Sequence, residues 1–119
     1  MTYKVGASRS LVIKSPTHTA RIRHLLDVFP KAKFVHIHRD PYEVFQSTQH
    51  YYDTAAWYIY LQKPDIELLD DQVIERYRDL YAAFEQDLDL IPEGQFHELS
   101  YKELESKPIE ELEKMYEAL

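Results

Sequence analysis

The 119-residue chain is 45% hydrophobic and 29% charged, the balance of one small soluble domain with a modest core. It has no cysteine, which excludes disulfides, zinc–thiolate sites and cysteine nucleophiles. Its net charge of −7 argues against non-specific nucleic-acid binding, and no apolar run approaches the roughly 20 residues that span a bilayer.

Residues 1–40 carry a balance of +6 and residues 41–119 one of −13. A locally basic end can capture a small anion while the acidic half supplies solvated helix faces. MTYKVGASRS lacks the apolar segment of a secretory signal, so a cytoplasmic location is expected.

Leu11–Lys14 (LVIK) reads as a short buried strand. Ser15-Pro16 starts a helix, serine suiting the cap and proline the first helical position. Ile22, Leu25, Leu26 and Phe29 form its apolar face, and Pro30 stops it. Lys33–His38 (KFVHIH) reads as a second strand. Asp40-Pro41 opens the next helix, with Asp40 as cap and Glu43 at the capping-box position. This helix runs into an aromatic stretch of Tyr51, Tyr52, Trp57, Tyr58 and Tyr60, expected to be mostly core, before Pro64 interrupts.

A long amphipathic helix is predicted from about Glu67 to Leu90, with Val73, Tyr77, Leu80, Tyr81, Phe84 and Leu88 as its buried stripe. Pro92-Glu93-Gly94 is a turn, and Gln95–Leu99 a short strand. A final helix, Pro108 to Leu119, carries Ile109, Leu112, Met115, Tyr116 and Leu119 on its apolar side. The alternation predicts an α/β fold, a small parallel sheet flanked by helices within a single domain over 1–119.

Ligands of such sheets bind beyond the carboxyl ends of the strands. Arg39 ends the second strand, and its planar fork of donors suits a phosphate. Ser47, eight positions on, can add a hydroxyl. A surface arginine pairing with Asp40 or Glu43 is the alternative. Lys14 and His18 form a second constellation. A lysine can neutralise charge on a bridging oxygen, and a histidine can take a proton from an acceptor hydroxyl. A partly exposed lysine beside a histidine that caps its own helix accounts for the pair equally. His36 and His38 share one strand face, but two histidines without a third ligand are a poor metal site, and satisfied core histidines explain them better; no metal is expected.

The segments KSPTHTARIRHLLDVFPKAKFVHIHRDPYEVFQS and LSYKELESKPIEELEKMYEAL resemble the sulfotransferases that use 3′-phosphoadenosine 5′-phosphosulfate (PAPS), most closely the bacterial-type branch with a Lys-Ser-Pro-x-His element. The resemblance implies a partial P-loop-NTPase-like fold and sulfuryl transfer from PAPS to an acceptor hydroxyl or amine. It places Arg39 and Ser47 at the cofactor's 3′-phosphate, Lys14 at the sulfuryl group or bridging oxygen, Tyr101 near the adenosine, and His18 as the base. In the cytosolic branch the base follows the equivalent lysine by two positions, where this chain has Pro16; His18 follows by four.

The family's phosphosulfate loop lies between an N-terminal strand and helix. Gly6-Ala7-Ser8-Arg9-Ser10 precedes a strand instead, so the chain is expected to be an incomplete sulfotransferase, the C-terminal part of the fold, weak or inactive alone. The resemblance implies a small-molecule, glycan or lipid acceptor, with no nucleic acid. A non-catalytic nucleotide-binding or interaction module, pairing with itself through an exposed sheet edge, is the alternative. A kinase-like enzyme is disfavoured by the missing phosphate loop and magnesium ligands.

Overall fold

The computed structural model describes residues 11–62, 65 and 67–119, with only the backbone at Trp57. The Gly6–Ser10 segment, the Pro64 interruption and the Trp57 side chain lie outside the described residues.

A 3₁₀ helix, Pro16–Ala20, is followed by α1 (Ile22–Val28), β1 (Phe34–His38), α2 (Pro41–Thr54), a 3₁₀ turn (Ala56–Tyr58), α3 (Leu69–Leu88), β2 (Phe96–Ser100), α4 (Tyr101–Ser106) and α5 (Pro108–Ala118). β1 and β2 pair in parallel, with Phe34 opposite Phe96 and His38 opposite Ser100. A parallel pair needs a long crossover, which α2 and α3 supply. The fold is the expected α/β arrangement with a small parallel sheet.

The expected strand at Leu11–Lys14 is a correction: these residues are irregular. A strand needs partners for its backbone groups and cover for its side chains. Among the described residues the segment has no strand beside it, and Val12 is 96% exposed. The helix after Ser15 is also not continuous. Ser15 leaves the backbone uncapped and bonds Thr17 Oγ1 at 3.0 Å. The first turn stays 3₁₀, and the chain bends at Arg21 (φ −131°, ψ 26°) before α1 begins. The bend lets Ile22 reach the core.

One face of the sheet packs on α3. The His36 ring lies 4.4 Å from that of Phe84 and 6.0 Å from that of Tyr81, and Phe84 lies 6.2 Å from Phe96. The predicted α3 stripe holds, with Val73 and Phe84 buried and Tyr77, Leu80, Tyr81 and Leu88 half-buried. Arg23 to Asp87 (2.8 Å) fastens α1 to α3, while Gln49 to Asp70 and Arg76 to the Tyr52 hydroxyl fasten α2 to α3. Gly94 takes φ +76° in the turn before β2, a conformation glycine adopts without steric cost.

Two expectations about burial fail. Tyr51 and Tyr58 are exposed and Tyr52 and Tyr60 half-buried, so the described part of the aromatic stretch, which spans the end of α2 and the 3₁₀ turn, is not mostly core. In α5 the apolar side holds only in part: Met115 and, just past the helix, Leu119 turn inward as expected, joined by Glu111 in one i, i+4, i+8 row, while Ile109, Leu112 and Tyr116 are exposed. The Glu111 carboxylate is met by Lys114 Nζ at 2.6 Å. No helix among the described residues is long and apolar enough to cross a membrane.

Candidate functional site

β1 delivers Arg39 to the sheet's carboxyl end, and the chain turns there into α2. Asp40 caps this helix, accepting from the Tyr42 N–H at 2.8 Å and the Glu43 N–H at 3.3 Å, with Pro41 in the first turn. The capping box forms only in part, because the Glu43 carboxylate accepts instead from Arg39 Nε at 2.8 Å. That is the acidic pairing the spacing left open for Arg39.

The parallel register brings the second half of the site. His38 lies opposite Ser100, so Tyr101, the next residue of β2's chain, stands beside Arg39. Its ring centroid is 4.8 Å from the guanidinium carbon, within cation–π range. The guanidinium is therefore held on one edge and one face. Its terminal amino groups have no hydrogen-bond partner among the described residues. The hydrogen bond that Arg39 donates to Glu43, which outweighs partial desolvation, pushes the already high pKa of Arg39 further up. Arginine stays a cation at every relevant pH.

Ser47 is exposed on α2. Arg39, Glu43 and Ser47 follow one another at intervals of four, so Ser47 shares the Glu43 side of the helix. Ser47 stands about 9 Å along the axis from Pro41 at 1.5 Å per residue.

Lys14 and His18 are brought together elsewhere. Both line a cleft of about 740 Å³ whose walls include Ile22, His36, Phe84 and Phe96. Lys14 is exposed, and it sits in irregular chain rather than at a strand end. His18 belongs to the 3₁₀ helix, and its Nδ1 is buried without a partner among the described residues. Arg39, Ser47 and Tyr101 are not among this cleft's walls. The described residues thus form two sets, joined by β1, which contributes His36 to the cleft and ends at Arg39.

His36 is a core histidine. Its Nδ1 lies 2.8 Å from Glu98 Oε1 across the sheet, and its side chain is 11% exposed. His38 is exposed. No group of three metal-binding side chains occurs among the described residues. Glu43 is the site residue whose part the sequence understated. Its signal was present in the i, i+4 spacing from Arg39, but the same glutamate also satisfied a capping box.

A family model described as the sulfotransferase family matches residues 1–119. The chain is 40% identical over 111 residues to proteins named omega-hydroxy-beta-dihydromenaquinone-9 sulfotransferase Stf3 from Mycobacterium bovis and from Mycobacterium tuberculosis. The match covers 93% of this chain and 29% of each relative, so the chain spans under a third of the length of these curated relatives. No solved structure gives a significant match. Matched along its whole length by the family model, and at this identity to its mycobacterial members, the chain belongs to the sulfotransferase family.

Proposed function

We propose that this chain carries the 3′-phosphate anchor and the acceptor-activating residues of a PAPS-dependent sulfotransferase. The observation that carries the reading is the Arg39 guanidinium at the carboxyl end of a parallel strand pair, stacked on Tyr101 with its terminal amino groups uncommitted. A doubly ionised phosphate fits that edge through two parallel charge-assisted hydrogen bonds. Ser47 adds a hydroxyl from the same side of α2, and Tyr101 borders the adenosine.

When bound, PAPS supplies the sulfuryl group, whose bond to the phosphate oxygen breaks as the bond to the acceptor oxygen or nitrogen forms. His18 takes the acceptor's proton. Lys14 neutralises charge on the oxygen left behind. Their shared cleft supports assigning them together, and orientation with charge stabilisation accounts for most of the rate. The name of the mycobacterial relatives specifies a hydroxylated acceptor, which favours a hydroxyl over an amine here.

The isolated chain is expected to bind weakly and to turn over poorly. Calorimetry with adenosine 3′,5′-bisphosphate tests the anchor. Arg39→Ala is expected to weaken binding about 10- to 100-fold, the range for losing a charge-assisted pair. Binding that survives Arg39→Ala unchanged would reject the assignment.

A further inference from the structure

We infer that Glu43 is a positioning residue that aims Arg39 at the anion. The inference deepens the 3′-phosphate reading and rests on it. An arginine offers five N–H donors in a fixed fork. In Arg39 the Nε donor is committed to Glu43 Oε2 at 2.8 Å, and one face of the plane rests on Tyr101. What remains is the edge carrying the two terminal amino groups, the edge that forks onto a phosphate. An arginine on an open surface surrenders its rotamer freedom when it binds. Here the Arg39 side chain is 42% exposed, yet its plane is contacted on one edge by Glu43 and on one face by Tyr101, and preorganisation of this kind raises affinity by lowering the cost of binding.

Glu43 also acts in the opposite sense. It touches Arg39 and shares a side of α2 with Ser47, so its negative charge sits beside the anion's expected position and repels it. Aiming and repulsion reside in one carboxylate, and two substitutions separate them. Glu43→Gln keeps an acceptor for Nε and removes the charge. Glu43→Ala removes both. Each variant loses the same acidic charge from the first turn of α2, so any effect on the helix is common to the two. The Glu43 side chain is 57% exposed, and neither change creates a cavity.

The test uses the full chain and two probes, adenosine 3′,5′-bisphosphate and adenosine 5′-phosphate, titrated while the Arg39 Nε–H resonance is followed by ¹⁵N NMR. The expected result has several parts. Wild type prefers the bisphosphate. Glu43→Gln matches or exceeds wild type, and its Nε–H resonance stays sharp. Glu43→Ala loses about 10-fold for the bisphosphate alone, with a broadened Nε–H resonance. Added to Arg39→Ala, Glu43→Ala has no further effect. If Arg39→Ala loses the preference but Glu43→Ala binds as tightly as wild type or tighter, Glu43 is only a competitor for the guanidinium; the inference falls and the anchor stands. If wild type does not distinguish the probes, the 3′-phosphate reading fails and takes this inference with it.

Discussion

Tyr81 shows how a single half-buried group links the sheet to the pH range of the fold. Its ring lies 4.6 Å from that of Tyr77 and edge-on to His36. Burial, then the hydrogen bond with Tyr77, pushes its phenol up from 10.0 to about 12. A raised folded value means that the fold favours the protonated phenol. The contribution is complete below pH 10 and is lost as pH rises through 12. Absorbance titration of the ten tyrosines is expected to show a late-ionising phenol that disappears in Tyr81→Phe, and wild-type stability is expected to fall more steeply than that of Tyr81→Phe between pH 10 and 12. Equal slopes would show that the phenol is solvated. At this scale the sequence was readable wherever neighbours were local. His36 and His38 sharing a face follows from strand periodicity, and the pairing of Arg39, which precedes the Asp40 cap of α2, with Glu43 follows from a separation of only four residues. The partner of His36 was not readable, because Glu98 lies 62 positions away and meets it only once the register of β1 on β2 is known. The same register, invisible in one dimension, sets Tyr101 against Arg39.

At the scale of elements, the start of α2 carries both structure and site. Asp40 satisfies two backbone donors that the helix itself leaves unpaired, and the turn it stabilises is the one that projects Arg39. Asp40→Ala is expected to cost about 1 kcal/mol in urea unfolding, with Asp40→Asn retaining most of it. The same substitution is expected to weaken bisphosphate binding although Asp40 has no donor to offer a phosphate. Unchanged stability would show the cap to be redundant with Pro41. Asp40-Pro41, Pro30 and Pro92-Glu93-Gly94 are signals of this local kind, and the boundaries they mark lie within a residue or two of those observed. The elements that differ depend on what lies beside them. LVIK has the composition of a strand but no neighbour to pair with among the described residues. The six-residue α4 is too short for a periodic pattern to mark it. In α5 periodicity correctly marked an apolar side, but docking against β2 uses the Glu111 row. Amphipathicity identifies which side is apolar, and the neighbour decides which side is covered.

At the scale of the whole molecule, more large apolar side chains are exposed than buried among the described residues. Among the described residues only Ile22, Ala56, Val73, Phe84 and Leu99 are buried apolar side chains. Parallel sheets ordinarily bury both faces, yet Val35 and Ile37 remain exposed on the face away from α3. Ile109 and Tyr116 of α5 point outward as well. Between α2 and α3 lies an apolar groove of about 500 Å³ lined by Val44, Phe45, Tyr52, Val73, Ile74 and Leu80. A fold with so little buried area unfolds with a small change in accessible surface. The urea dependence of its stability is therefore expected near the low end for small proteins, about 1 kcal/mol per molar, and the native chain is expected to enhance the fluorescence of 1-anilinonaphthalene-8-sulfonate. Ligand linkage then becomes large relative to the stability available. Adenosine 3′,5′-bisphosphate at about a hundred times its dissociation constant adds about 2.7 kcal/mol, expected to raise the melting temperature by about 10 °C. Arg39→Ala, tested at the same bisphosphate concentration, is expected to keep about half of that rise or less, because binding weakened about 10- to 100-fold leaves about 1.4 to 0.4 kcal/mol. A steep urea transition without dye binding would mean that the open faces are covered in solution. A wild-type melting temperature indifferent to the bisphosphate would mean that the Arg39 edge binds no such anion.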